Sequence, residues 1–252
     1  MQRLVTAWVW VEWIVLVLIG FPIACVLFVC TAPFDPGRYA VGRFFRLIGF
    51  AGASLNPWWH FRTTGLHVRD PRRPYVAVSN HESYADIFLL CFLPWEMKWL
   101  AKQTIFNIPV MGWLMRMAGD VPLVRGNRES AVGALVKCRD RLAKRVSVMV
   151  FPEGSRSRTD DLLPFKDGAF HVAVQAQAPV LPIAIAGTRY AMAKNSFLVG
   201  RATAVCRVLE PIETTGLTAD DVPALRERVR GLIDAARREL AEELRVGAPA
   251  RA

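Results

Sequence analysis

The sequence predicts an α/β protein, a single mixed, largely parallel sheet flanked by helices, with an N-terminal membrane-associated two-helix element. Three observations predict it. From Thr64 onward short β-rich runs alternate with helical stretches, the pattern of βαβ units around a parallel sheet. Leu4–Cys30 is apolar apart from Thr6, Glu12, Gly20 and Pro22. The 252 residues are 53% hydrophobic yet carry a net charge of +10, from 32 Lys+Arg against 22 Asp+Glu. The length suits one α/β domain with an appendage, and the apolar composition excludes a disordered chain. The expected division is a helical element over 1–61 and an α/β domain over 62–252.

Taken in order, Leu4–Cys30 as a helix measures roughly 40 Å at about 1.5 Å per residue, enough for a bilayer core of about 30 Å. Glu12 near the midplane would cost about 2.5–3.5 kcal/mol. Trp8, Trp10 and Trp13 around it favour a headgroup interface, so spanning and embedding both stay open. Arg38–Phe61 mixes arginines with Phe44, Phe45, Leu47, Ile48, Phe50, Trp58 and Trp59. It reads as a second helix at the interface. By the positive-inside rule Arg38–Arg46 and everything after it lie in the cytoplasm.

Strands are expected at Leu66–Arg69, Tyr75–Ser79, Met97–Ala101, Val121–Val124, Val146–Phe151, Val180–Ala186 and Thr203–Leu209. Helices are expected at Ala85–Leu93, Pro109–Ala118, Glu129–Lys144 and Gly168–Gln177. Thr218–Val246 carries Val222, Leu225, Val229, Leu232, Ile233, Ala236 and Leu240 at helical spacing, one amphipathic helix packed on the sheet. Cys25, Cys30, Cys91, Cys138 and Cys206 show no CxxC spacing and read as small buried hydrophobes.

In parallel sheets, sites form beyond the carboxyl ends of the strands. After Tyr75–Ser79 comes Asn80-His81-Glu82-Ser83-Tyr84-Ala85-Asp86. Ser83-x-x-Asp86 has the form of a capping box. With Ser83 as N-cap, His81 lies in the pre-helical turn, and Asp86 in the first helical turn can fold back on its Nδ1. That contact leaves Nε2 free as a base. Cap and dyad are both compatible with the residues. After Val146–Phe151 come Glu153, Gly154, Ser155 and Arg156, small and hydroxylic residues with an arginine suited to an anion. Lys102 and Arg125 follow two further strands. HESYA lacks the second His of a zincin, the Gly and Lys spacing of a P-loop is wrong, and a Gly-x-Ser-x-Gly elbow is missing. The basic charge comes without an aromatic-basic groove or a nucleic-acid recognition motif.

NHESYAD, the stretch AKQTIFNIPVMGWLMRMAGDVPLVRGNR, FPEGSRSR followed by PFKDGAF, and VLPIAIAGT occur in that order across roughly Asn56–Cys206. Together they resemble the four motifs of the glycerophospholipid acyltransferase family, most of all its bacterial 1-acylglycerol-3-phosphate branch. Ser155 stands where many relatives carry Thr, and Val121-Pro122-Leu123 replaces an aromatic-containing run. The resemblance implies acyl transfer from acyl-CoA or acyl carrier protein to a lysophospholipid hydroxyl, giving phosphatidic acid when the acceptor is 1-acylglycerol-3-phosphate. The alternative acceptor is another lysolipid, such as lyso-ornithine lipid. His81 would be the base and Asp86 its orienting carboxylate. Arg156 would hold the acceptor phosphate, with Glu153, Gly154 and Ser155 shaping the loop, and Arg125 and Lys102 would be further contacts to phosphate or donor. The resemblance implies no cofactor or metal, and docking on the cytoplasmic face of the inner membrane.

Overall fold

The computed structural model describes residues 1–65, 70, 72–157, 161–193 and 196–246. Two helices come first, α1 (Gln2–Thr31) and α2 (Tyr39–Ser54). The strands are β1 (Trp59–Thr64), β2 (Val76–Ser79), β3 (Met97–Lys102), β4 (Val121–Leu123), β5 (Ser147–Val150), β6 (Val180–Ala186) and β7 (Ala202–Val208). Between them lie α3 (Ala85–Leu90), α4 (Gln103–Phe106), α5 (Met111–Ala118), α6 (Arg128–Ala143) and α7 (Gly168–Ala176), and α8 (Val222–Val246) ends the described chain.

The strands form one sheet in the order β1-β7-β6-β2-β5-β3-β4. β6, β2, β5, β3 and β4 run parallel, whereas β7 is antiparallel to β6 and carries β1 parallel to itself. The sheet is therefore mixed and largely parallel. Its central strands are covered on both faces, so they read as continuous apolar runs. Val76, Val78, Val148, Val150 and Val180 face α6, α7 and α8, while Ala77, Met149, Leu181, Ile183 and Ile185 face the layer containing α3. The expected apolar face of the last helix is the buried one: Val222, Leu225, Val229, Ile233, Ala236 and Leu240 pack against the sheet. Each of the larger side chains contributes about 1.5–3 kcal/mol by leaving water. Leu232 points out.

Three expectations change. The second helix stops at Ser54 rather than Phe61, because Pro57 biases the residue before it away from helix. Trp59–Thr64 then becomes a sheet strand, and the Trp59 indole donates to the Gly200 carbonyl at 3.2 Å instead of facing an interface. Cys25 is half-buried and Cys30 exposed, so only Cys91, Cys138 and Cys206 are buried. The strand expected at Leu66–Arg69 lies outside the described residues.

The second of the N-terminal helices, α2, is fixed to the sheet by buried charge. Arg46 of α2 donates to the Asp120 carboxylate and to the Met97 carbonyl at 3.3 Å, and its Nε lies 3.6 Å from Glu96. Lys98 of β3 donates to Glu96 at 2.9 Å and to the Arg38 carbonyl at 2.7 Å. Burial pushes the Glu96 carboxyl up and the Lys98 ammonium down, and each partner's charge pulls the other back. The Arg46 charge is therefore neutralised inside the protein. Removing one member of a buried network strands the opposite charge. Asp120→Ala takes away the partner of Arg46 and the acceptor of the Trp99 N–H at 2.8 Å. We expect it to lose about 3–5 kcal/mol of stability, read by chemical denaturation in detergent micelles; an unchanged midpoint would contradict the assignment.

Candidate active site

β2 ends at Ser79 and the chain turns before α3 begins at Ala85. The turn is pinned to β6, the neighbouring strand, by Asn80. Its side-chain amide donates to the Ile185 carbonyl at 2.9 Å and accepts the Ile185 N–H at 2.8 Å, in effect extending the sheet by one side chain. His81 follows, with its ring stacked on Phe151 at 4.1 Å between centroids. Its Nδ1 meets Asp86 Oδ2 at 2.7 Å. Asp86 is fully buried, and Oδ2 also accepts the backbone N–H of Glu82 at 2.8 Å and of Ser83 at 3.1 Å. On Oδ1 it accepts the Thr188 hydroxyl.

Cap and dyad are thus one arrangement. Asp86 accepts the Ser83 N–H, as the third residue of a capping box does, and with the same oxygen it holds His81. Ser83 differs from the expected N-cap. Tyr84 occupies that position, and the Ser83 hydroxyl accepts the Ala85 N–H at 3.1 Å while donating to the Met192 carbonyl at 2.7 Å. When Nδ1 carries the proton toward Asp86, Nε2 is left with its lone pair. Nε2 has no hydrogen-bond partner among the described residues, and the side chain keeps a narrow opening of 10% exposure.

The segment after β5 grips the same turn from the other side. Glu153 Oε1 accepts the His81 N–H at 2.7 Å, Glu153 Oε2 accepts the Leu163 N–H at 2.9 Å, and the His81 carbonyl accepts the Ser157 N–H at 2.9 Å. Burial raises the Glu153 carboxyl above its ordinary value, and the two N–H donors partly oppose that rise. Gly154 has φ +71, and a Cβ there would sit 2.9 Å from Lys166 Nζ, so this position favours glycine. Ser155 is half-buried beside it. The Arg156 guanidinium lies 3.8 Å from the centre of the Tyr84 ring, over the turn that carries His81.

His81, Asp86, Glu153 and Arg156 are therefore brought together at the carboxyl ends of the adjacent strands β2 and β5. Lys102 and Arg125 are not. Both are exposed on the same edge, at the ends of β3 and β4. Strand spacings of about 4.8 Å put the end of β3 about 10 Å from that of β2, and β4 about 14 Å away. Sequence reasoning missed Thr188, Asn80, Phe151, Tyr84 and Lys166 as site residues. Thr188 closes the VLPIAIAGT block, but its partner Asp86 lies 102 residues earlier and no local pattern joins the two.

Comparison with known proteins gives the same outline. The acyltransferase family matches residues 60–186. The chain is 36% identical over 163 residues to 1-acyl-sn-glycerol-3-phosphate acyltransferase of Saccharomyces cerevisiae, covering 63% of this chain and 54% of that protein. It is 36% identical over 193 residues to the beta form of the Homo sapiens enzyme of that name, covering 73% and 69%. It spans about half the length of several curated relatives that it matches. The crystal structure of the 1-acyl-sn-glycerophosphate (LPA) acyltransferase PlsC from Thermotoga maritima superposes with a TM-score of 0.78 at 22% identity, over 100% of both chains, a likeness of fold. A family match that spans the sheet from β1 to β6 and contains the His81–Asp86 turn leaves a direct conclusion: the chain belongs to the acyltransferase family.

Proposed function

We propose that this protein transfers a fatty acyl group from a thioester, acyl-CoA or acyl carrier protein, to the free hydroxyl of 1-acylglycerol-3-phosphate, giving phosphatidic acid. The observation that carries the reading is the 2.7 Å contact between His81 Nδ1 and Asp86 Oδ2, at the mouth of a turn that also holds Arg156. The names of the relatives support the choice of acceptor. In the first step His81 Nε2 takes the proton of the acceptor hydroxyl as its oxygen attacks the thioester carbonyl. Collapse of the adduct breaks the C–S bond, and the imidazolium returns the proton to the departing thiolate. The products are an ester and a free thiol. Asp86 keeps its charge and stabilises the imidazolium while it lasts. No acyl-enzyme forms, because the acceptor supplies the nucleophile, and no step calls for a metal or cofactor.

Arg156 is assigned to the acceptor phosphate, with Gly154 allowing close approach of the backbone and Ser155 offering a hydroxyl. Its stacking on Tyr84 holds the guanidinium plane beside the base. Lys102 and Arg125 are left to the outer part of the donor or acceptor. Docking on the cytoplasmic face of the inner membrane is assigned to the two-helix element. α1 buries Thr6, Val9, Trp13, Gly20 and Ala24 on one side. The other side exposes Leu4, Trp8, Val11, Val15, Leu18 and Val26, a continuous apolar stripe of the kind that marks lipid contact. The lipid acceptor then enters from the bilayer, and the soluble thioester arrives from water.

Three outcomes test this reading. His81→Ala should lower turnover by about 10²- to 10⁴-fold, measured with labelled acyl-CoA and acyl carrier protein against a panel of lysolipids, and leave vesicle binding intact. Turnover kept in that variant would sink the base assignment. Arg156→Ala should raise the acceptor KM by about 10- to 100-fold with little effect on the donor KM, so an unchanged acceptor KM removes the phosphate role. The third concerns Glu153, which holds the catalytic turn. Its raised pKa means that the native state binds more protons than the unfolded chain between the ordinary glutamate value and the folded one. Stability contributed by this group is full below that window and is lost as the pH rises through it. The unfolding free energy of the wild type minus that of Glu153→Gln should therefore fall across the window. A difference that is flat or grows with pH would contradict it.

A further inference from the structure

We propose that Thr188 is a positioning residue for this reaction: its hydroxyl sets the plane of the Asp86 carboxylate and, through it, the aim of the His81 imidazole. The inference rests on the reading of His81 as the base. It starts from how the two oxygens of Asp86 are used. Oδ2 collects three N–H donors, two of them from the backbone of its own turn. Those two hold Oδ2 against the turn, and the torsion about Cβ–Cγ, intrinsically broad and roughly two-fold, is narrowed further by whatever Oδ1 meets. Oδ1 points the other way, into the protein, and Asp86 is fully buried. The donor found there is the Thr188 hydroxyl. With both oxygens engaged on opposite sides, one carboxylate plane remains.

Thr188 is itself well fixed. It has no exposed surface and begins a short 3-10 turn, Thr188–Tyr190, just past β6. Gly187 before it has φ +93, and a Cβ there would lie 2.2 Å from the Thr203 carbonyl oxygen, so the turn depends on glycine. The Thr188 carbonyl accepts the Ala191 N–H at 2.9 Å, and one residue later the Met192 carbonyl takes the Ser83 hydroxyl. The segment after β6 thus grips the catalytic turn at both Ser83 and Asp86. The chemistry of the donor also fits. A cation here would cancel the charge that Asp86 presents to the imidazolium, whereas a neutral hydroxyl orients the carboxylate and leaves that charge in place.

Steady-state kinetics on the full chain in mixed micelles tests the idea with Thr188→Val, Thr188→Ser, Asp86→Asn, the Asp86→Asn/Thr188→Val double variant and His81→Ala. Thr188→Val keeps the shape and loses the hydroxyl. It should lower kcat by about 10- to 100-fold, as loss of a supporting hydrogen bond behind a reacting group does, with both KM values within about twofold of wild type. Thr188→Ser should recover most of the rate. In the Asp86→Asn background Thr188→Val should cost less than about twofold, since the carboxylate that it positions is gone. A merely structural threonine would instead show the same fold-loss in both backgrounds, and that result, or wild-type kcat in Thr188→Val, would overturn the proposal. If valine folds poorly, Thr188→Ala against Thr188→Ser makes the same comparison. Turnover retained by His81→Ala defeats the base reading itself, whereas an inactive His81→Ala beside a fully active Thr188→Val defeats this inference alone.

Discussion

Asp86 is a carboxylate with no exposed surface, and much of the site follows from that constraint. A buried charge must be surrounded by donors or it will not stay ionised. The donors here come from its own turn, from the imidazole of His81 and from the hydroxyl of Thr188. Each hydrogen bond to a charged group contributes about 1.5–3 kcal/mol, so the set rivals the cost of desolvation. Satisfying Asp86 therefore draws the end of β2, the start of α3 and the segment after β6 to one point. Glu153 repeats the solution from β5, with two backbone N–H groups on one carboxylate. Three adjacent strand ends are tied together by buried acids, and the histidine stands where they meet.

Buried charge with satisfied partners also fixes α2. Arg46, Glu96, Lys98 and Asp120 are buried between α2 and the sheet. Aliphatic residues of equal volume would give comparable stability at such a place, since desolvation of ion pairs consumes most of the attraction. What charges add is a defined geometry: Arg46 fits where Asp120, Glu96 and the Met97 carbonyl converge, and a helix sliding by one turn would lose all three. A helix held only by apolar contact has little else to set its register against the sheet. Specific buried pairs supply the registration that nonspecific apolar contact lacks.

How much of this was legible in the sequence depended on the range of the interactions. The alternation of strand and helix gave the central sheet, because apolar periodicity and turn residues act locally. The His81–Asp86 pair was readable for the same reason, since both ends lie within one turn of chain. Trp59–Phe61 reads in the sequence as the end of a helix but begins β1. Its aromatics suit either a lipid interface or a sheet edge, and the decision is made by pairing with β7, more than a hundred residues away. Thr188 was hidden in the same way, a threonine at the end of a strand with nothing nearby to mark it. For Lys102 and Arg125, the rule that sites lie past strand ends locates the edge of the sheet but gives no distance along it: β3 and β4 lie two and three places from β2.

The excess of basic over acidic residues also changes meaning once side chains are placed. Residues 1–80 hold 8 of the Lys+Arg and 3 of the Asp+Glu, which on paper is a positive collar around the apolar helix. Arg46 is buried against acids, Arg43 donates to the Leu93 carbonyl at 2.8 Å, and Arg38 lies over the Phe28 ring. These arginines hold the helices to one another and to the domain before they hold anything to a lipid headgroup. Arg3, Arg62, Arg72 and Arg73 remain exposed. In the proposed docking, apolar area on α1 therefore carries more of the attachment than charge does: each large side chain on its outer face gains about 1.5–3 kcal/mol on leaving water, whereas a surface arginine gains about 1 kcal/mol from anionic lipid and loses it within a Debye length. Attachment on these terms is insensitive to salt, and the basic groups past the strand ends are left for the substrate.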